Sequence, residues 1–133
     1  MANVLIVEDD IDLNNAYKIV LENEGHVVVS AYNGQEALDA LLSFEPDLII
    51  LDLLMPIKSG VEFLEDYRDL GETSAAKVLV FTNLENAPEI NKAFQLGADK
   101  CIVKAWTGPQ GMIEVVRQII KGTKSSSVTP TPK

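Results

Sequence analysis

Glu8-Asp9-Asp10, Asp52, Thr82 and Lys104 each follow directly on a short apolar run: Val4–Val7, Leu48–Leu51, Val78–Phe81 and Cys101–Val103. Acids, a lone carboxylate, a hydroxyl and an amine together can hold a divalent cation and act on a phosphoryl group. Hard cations such as Mg²⁺ take carboxylate and carbonyl oxygens and keep several waters. A carboxylate attacking a phosphoryl donor meets a second anion, and a cation beside it removes that repulsion. An amine adds a positive point charge for a phosphoryl oxygen.

Whether these residues meet depends on the elements that carry them. Apolar runs of four or five residues, separated by helix-length stretches, read as buried strands of a parallel sheet. In an open α/β sheet the carboxyl ends of the strands line one crevice, where ligands bind. Strand and helix alternate five times. A first strand over about 3–8 precedes a helix over about 12–24, with Leu13, Ala16, Tyr17, Val20 and Leu21 at helical spacing and Gly25 as its left-handed cap. Val27–Val29 form a second strand, and Asn33 to Glu36 open a second helix carrying Ala37, Leu38, Leu41 and Leu42. The third helix starts near Ser59 with Val61, Phe63, Leu64 and Tyr67 inward. The fourth opens at Asn86-Ala87-Pro88 and closes at Gly97. The last starts at Thr107-Gly108-Pro109 and turns Met112, Ile113, Val116, Ile119 and Ile120 inward. The expected folded domain covers residues 1–121. Residues 122–133, rich in Ser, Thr and Pro, read as a disordered tail.

The 133 residues make one domain, and 47% hydrophobic residues argue for a packed globule. Eleven Lys+Arg against twenty Asp+Glu give a formal charge of −9. That balance disfavours direct nucleic-acid binding and an anionic membrane surface. One cysteine makes no internal disulfide, and no apolar stretch approaches the roughly 20 residues that span a bilayer. The expected setting is cytoplasmic. The single histidine, His26, follows a helix-ending glycine and is expected exposed at a strand start.

Val7-Glu8-Asp9, Leu51-Asp52-Leu53-Leu54-Met55-Pro56, Thr82 and Lys104 resemble the signature of a response regulator receiver domain, over about residues 3–121. The resemblance implies a flavodoxin-like, doubly wound five-stranded parallel sheet of order 2-1-3-4-5 with helices on both faces. It implies Asp52 as phosphoacceptor, with Asp9 and Asp52 as direct Mg²⁺ ligands, Glu8 acting through water and the Leu54 backbone carbonyl completing the set. Mn²⁺ is an alternative ion, and Asp10 is a possible accessory acid. Lys104 would pair with Asp52 before phosphorylation and with the phosphoryl group after it, and Thr82 would supply the switching hydroxyl. The implied donor is a sensor histidine kinase or a histidine phosphotransfer protein. The implied output is a downstream protein or self-dimer, through the fourth helix, fifth strand and fifth helix.

Several positions depart from the family pattern. Where an aromatic residue usually stands three before the lysine, this chain has Cys101, read as a small buried apolar residue. Lys104-Ala105-Trp106 replaces the usual Lys-Pro, and a trans bond is expected, since a non-proline cis bond costs about 2.5–4 kcal/mol. Leu54 and Leu84, two residues beyond Asp52 and Thr82, would neither orient nor activate a water, which predicts slow self-dephosphorylation.

Three other readings compete. A receiver fold could work without phosphorylation. An aspartate-nucleophile phosphohydrolase would need Asp-x-Asp, and Asp52-Leu53-Leu54 lacks the second acid. A flavodoxin-like cofactor binder would need a phosphate loop where three acids stand. The chain therefore reads as a phosphoacceptor rather than a stand-alone enzyme.

Overall fold

The computed structural model describes residues 1–70, 75–83 and 88–122. Five strands, β1 (Asn3–Val7), β2 (Val27–Ala31), β3 (Leu48–Leu51), β4 (Lys77–Thr82) and β5 (Lys100–Val103), form one sheet of order β2-β1-β3-β4-β5. Every neighbouring pair is parallel. Five helices connect and follow them: α1 (Ile11–Asn23), α2 (Gly34–Ala40), α3 (Gly60–Arg68), α4 (Pro88–Gln95) and α5 (Pro109–Gly122). The expected fold class and strand order are those observed.

The pleat sorts the strand residues between two cores. Val4, Ile6, Leu48, Ile50, Leu79 and Phe81 face α1 and α5, against Tyr17, Leu21, Met112, Ile113 and Val116. Leu5, Val7, Ile49, Leu51, Val78 and Val80 face the other way, against Ala37, Phe63, Leu64, Tyr67 and Ala93 of α2, α3 and α4. Both faces of each central strand are thus buried, which is why the strands read as continuous apolar runs. Each fully buried Leu or Ile contributes roughly 1.5–3 kcal/mol.

Local chemistry starts and stops the helices. Asp10 caps α1 by accepting from the Leu13 N–H at 3.1 Å. Asn33 caps α2 by accepting from Glu36 N–H. Ser59 and Glu62 close a reciprocal capping box on α3. Gly25 (φ 96°) ends α1 in the left-handed region, with His26 N–H donating back to the Leu21 carbonyl at 3.2 Å and Gly25 N–H to Glu22 at 2.9 Å.

Several expectations need correction. The second helix stops at Ala40, so Leu42 falls past its last turn and is exposed rather than part of an apolar stripe. His26 is half-buried, not exposed, because its Nδ1 accepts from the Ala2 N–H at 3.0 Å where β1 and β2 begin. Burial, aided by the Met1 ammonium and opposed by Glu24, holds its pKa below the ordinary histidine value. Cys101 is half-buried rather than buried, packed at the edge of the α2–α4 core, and burial raises its thiol pKa. The Lys104–Ala105 bond is trans, within a single 3₁₀ turn over Lys104–Trp106. Gly122, expected to begin the tail, is the last residue of α5. Leu84, the expected opening of the fourth helix before Pro88, the Trp106 side chain and the rest of the expected tail, residues 123–133, lie outside the described residues.

Candidate functional site

Strand register brings the reactive residues to one edge. Val7 pairs with Leu51, Leu51 with Val80, and Thr82 with Val103. Glu8, Asp52 and Lys104 each come two residues after an inward residue of the α1/α5 face: Ile6, Ile50 and Ile102. The strand alternation therefore points their side chains the same way. Thr82, the last residue of β4, is fully buried beside them in sequence register.

The Lys104 ammonium lies between two carboxylates. Its Nζ donates to Glu8 Oε1 and, at 3.1 Å, to Asp52 Oδ2. The three side chains are nearly enclosed, at 10%, 4% and 9% exposure for Lys104, Glu8 and Asp52, so this ion cluster is not screened as a surface pair would be. Burial raises the Glu8 pKa, and the charge of Asp52 adds to it. The Lys104 hydrogen bond and the Asp10 N–H, 3.0 Å from Oε2, act in the opposite sense. Burial works against the charged form of Lys104. The hydrogen bond to Glu8 and the two carboxylate charges outweigh it and hold the ammonium pKa above its ordinary value.

The remaining acids divide the work. Asp9 is exposed, and one oxygen each from Glu8, Asp9 and Asp52 lies within 4.8 Å of the others. An all-oxygen, acidic donor set with one member open to solvent fits a hard divalent cation that retains water. Asp10 accepts from Leu13 N–H as the cap of α1, the work its side chain performs in this structure. Lys104 pairs with Asp52 as anticipated, but it also grips Glu8, which sequence reasoning placed only at the cation. No signal in the chain distinguished the two partners, because the choice depends on how the loop after β1 folds.

The loop after β3 shapes the other wall. Asp52 Oδ1 accepts from Leu54 N–H at 3.3 Å, and the Leu54 side chain is exposed. A Cβ on Gly60 would stand 2.4 Å from the Asp52 carbonyl and 2.8 Å from Leu53 Cα. Only glycine lets α3 approach the phosphoacceptor candidate so closely. Between them, Lys58 N–H donates to the Pro56 carbonyl at 2.7 Å around Ile57, whose φ is 68°. This tight three-residue turn was not legible in the sequence, since isoleucine is a poor residue for positive φ.

Comparisons with known proteins agree with this geometry. The model of the response regulator receiver domain matches residues 4–117. The chain is 30% identical to the chemotaxis protein CheY of Halobacterium salinarum, across 82% of this chain and 89% of that protein. It is 32% identical to the transcriptional regulatory protein CpxR of Escherichia coli, across 91% of this chain but only 50% of that regulator. The solved structure of chemotaxis protein CheY4 of Vibrio cholerae superposes with a TM-score of 0.82 at 27% identity, covering 90% of this chain and 98% of that one.

Proposed function

The chain belongs to the response regulator receiver family, and from that premise we propose that Asp52 accepts a phosphoryl group from a phosphohistidine donor and thereby switches protein–protein contacts. The observation that carries the reading is the enclosed Glu8–Lys104–Asp52 cluster with Asp9 at its open side. The donor is a sensor histidine kinase or a histidine phosphotransfer protein, in the cytoplasm. Among the described residues no helix is long and apolar enough to cross a membrane.

Asp9, Asp52 and the Leu54 carbonyl would hold Mg²⁺, or Mn²⁺, with Glu8 reached through water. The bound ion supplies charge neutralisation between two anions that otherwise repel. Asp52, turned by the Leu54 N–H on Oδ1, presents a carboxylate oxygen to phosphorus. The new O–P bond forms as the donor N–P bond breaks, and the electron pair leaves on the imidazole. Lys104 is already charged and within reach, so it neutralises a phosphoryl oxygen without first acquiring a proton. Thr82, at the end of β4, supplies a hydroxyl to the acyl phosphate. Leu54 offers nothing that orients a water, so loss of the phosphoryl group by hydrolysis is slow. Leu84 would act in the same way.

The output surface is the α4-β5-α5 face, where Phe94 is 45% exposed and Cys101 stands at the usual aromatic position. A net charge of −9 disfavours direct nucleic-acid contact, so the message passes to a protein or a second copy of the chain. Cys101 favours one second reading, a receiver fold whose contacts do not depend on an aromatic rotamer.

Incubation with acetyl phosphate and Mg²⁺, followed by intact-mass measurement, tests the proposal. One phosphoryl adduct is expected, absent from Asp52→Ala and from metal-free samples. An adduct that persists in Asp52→Ala would place the acceptor elsewhere.

A further inference from the structure

We infer that Asn14 is a positioning residue of the cation site, holding the Glu8–Asp9 turn in the form that brings the carboxylates together. This rests on the phosphoacceptor reading above. Asn14 lies on α1, fully buried, on the side that also carries Tyr17 and Leu21 into the core. An asparagine there is a poor helix former and carries a desolvation cost, so its partners must offset both. They do. Its Nδ2 donates to the Glu8 carbonyl at 3.0 Å and to the Ala31 carbonyl at 3.1 Å. Ser30 Oγ donates to its Oδ1 at 2.5 Å, which fixes the orientation of the amide.

The position of these bonds is what points beyond ordinary satisfaction of buried polar groups. β1 and β2 pair as far as Val7 and Ala31, and Glu8 N–H adds one more bond to the Ala31 carbonyl at 3.1 Å. There the strands part, and the chain turns into the acidic loop. The Glu8 carbonyl belongs to the peptide plane joining Glu8 to Asp9, two of the three clustered carboxylates. Rotation of that plane would swing Asp9 relative to Asp52. Asn14 stops the rotation on one side, while Asp10, capping the same helix, anchors the loop on the other. The acids are thus referenced to α1 as a rigid body, with Ser30 of β2 locking the connection. Outer-shell hydrogen bonds of this kind tune cation affinity, because loosely held ligands must be ordered on binding.

The test is Mg²⁺ titration by calorimetry on the full chain, with each variant held well below its own Tm. Asn14→Ala is expected to raise the Mg²⁺ dissociation constant about tenfold. Ser30→Ala, which frees the amide without removing it, is expected to give a smaller loss in the same direction. Val116→Ala, a core change on α5, should lower Tm and leave Mg²⁺ affinity alone. An Asn14→Ala protein that loses stability but binds Mg²⁺ as tightly as wild type overturns the inference. If that variant does not fold, unchanged affinity in Ser30→Ala overturns it equally. A wild-type chain that binds no Mg²⁺ refutes the phosphoacceptor reading itself, and the inference with it, in an arm that involves no variant.

Discussion

Ile57→Gly should make the protein more stable, against the usual cost of placing glycine in a loop. Ile57 is β-branched, sits at φ 68°, and is spanned by the Pro56 carbonyl and Lys58 N–H at 2.7 Å. Such a conformation is held by its surroundings. Gly34 N–H grips the Lys58 carbonyl at 2.9 Å, and Gly60 N–H grips the Leu53 carbonyl at 3.1 Å. Strain of this type is of the order of 1–3 kcal/mol. Glycine removes it but loses about 0.4–1 kcal/mol through the freer unfolded chain. The side chain is 81% exposed, so its packing amounts to only about 0.5 kcal/mol. The balance is a gain of about 1 kcal/mol, or a Tm rise of about 3–5 °C for a chain of this size. Thermal and urea unfolding of wild type, Ile57→Gly and Ile57→Val would measure it. Valine keeps the β-branch and should stay within about 0.5 kcal/mol of wild type. A lower Tm for Ile57→Gly, at unchanged urea m-value, would refute the argument that this turn stores strain.

Other perturbations probe the site and its surroundings. Lys104→Met leaves two enclosed carboxylates without their cation and should cost about 3 kcal/mol in urea unfolding with EDTA present. Mg²⁺ should restore part of that loss, and equal stability of variant and wild type would contradict the buried pairing. His26 has a lowered pKa, so the unfolded chain binds its proton more readily than the folded one. Its contribution to stability is therefore complete above about pH 6.5 and is lost as pH falls from there through the folded-state pKa. NMR titration should place that pKa below the ordinary histidine value, and His26→Gln should flatten the stability profile in that window. Leu54→Asn places a polar group two residues beyond Asp52 and should speed loss of the phosphoryl group severalfold, followed by intact mass after removal of acetyl phosphate. An unchanged lifetime would mean that the apolar residue does not limit water.

The order of elements, and the polar residues that end the strands at one edge, were legible from the chain alone. Strands buried on both faces must be apolar throughout, and the polar residue ending each run marks the carboxyl edge of the sheet. The runs before Asp52 and Thr82 carry that signal because local covalent order and hydrophobic burial determine it. Caps such as Ser59 with Glu62, and Gly25 after α1, are likewise local. Tertiary structure decided the rest. Lys104 reaches Glu8 as well as Asp52 only because the parallel sheet aligns the ends of β1, β3 and β5 along one edge, the lysine side chain spanning the end of β4, and because the loop after β1 turns Glu8 toward it. Asn14 reads as an ordinary helix residue until β1 and β2 are seen to part beneath it. His26 becomes a half-buried acceptor through the Ala2 backbone, and Ile57 takes positive φ in a turn tied to the start of α2 by the Gly34 N–H on the Lys58 carbonyl. Each depends on contacts between residues distant in sequence, whose energies no local pattern of residue types encodes.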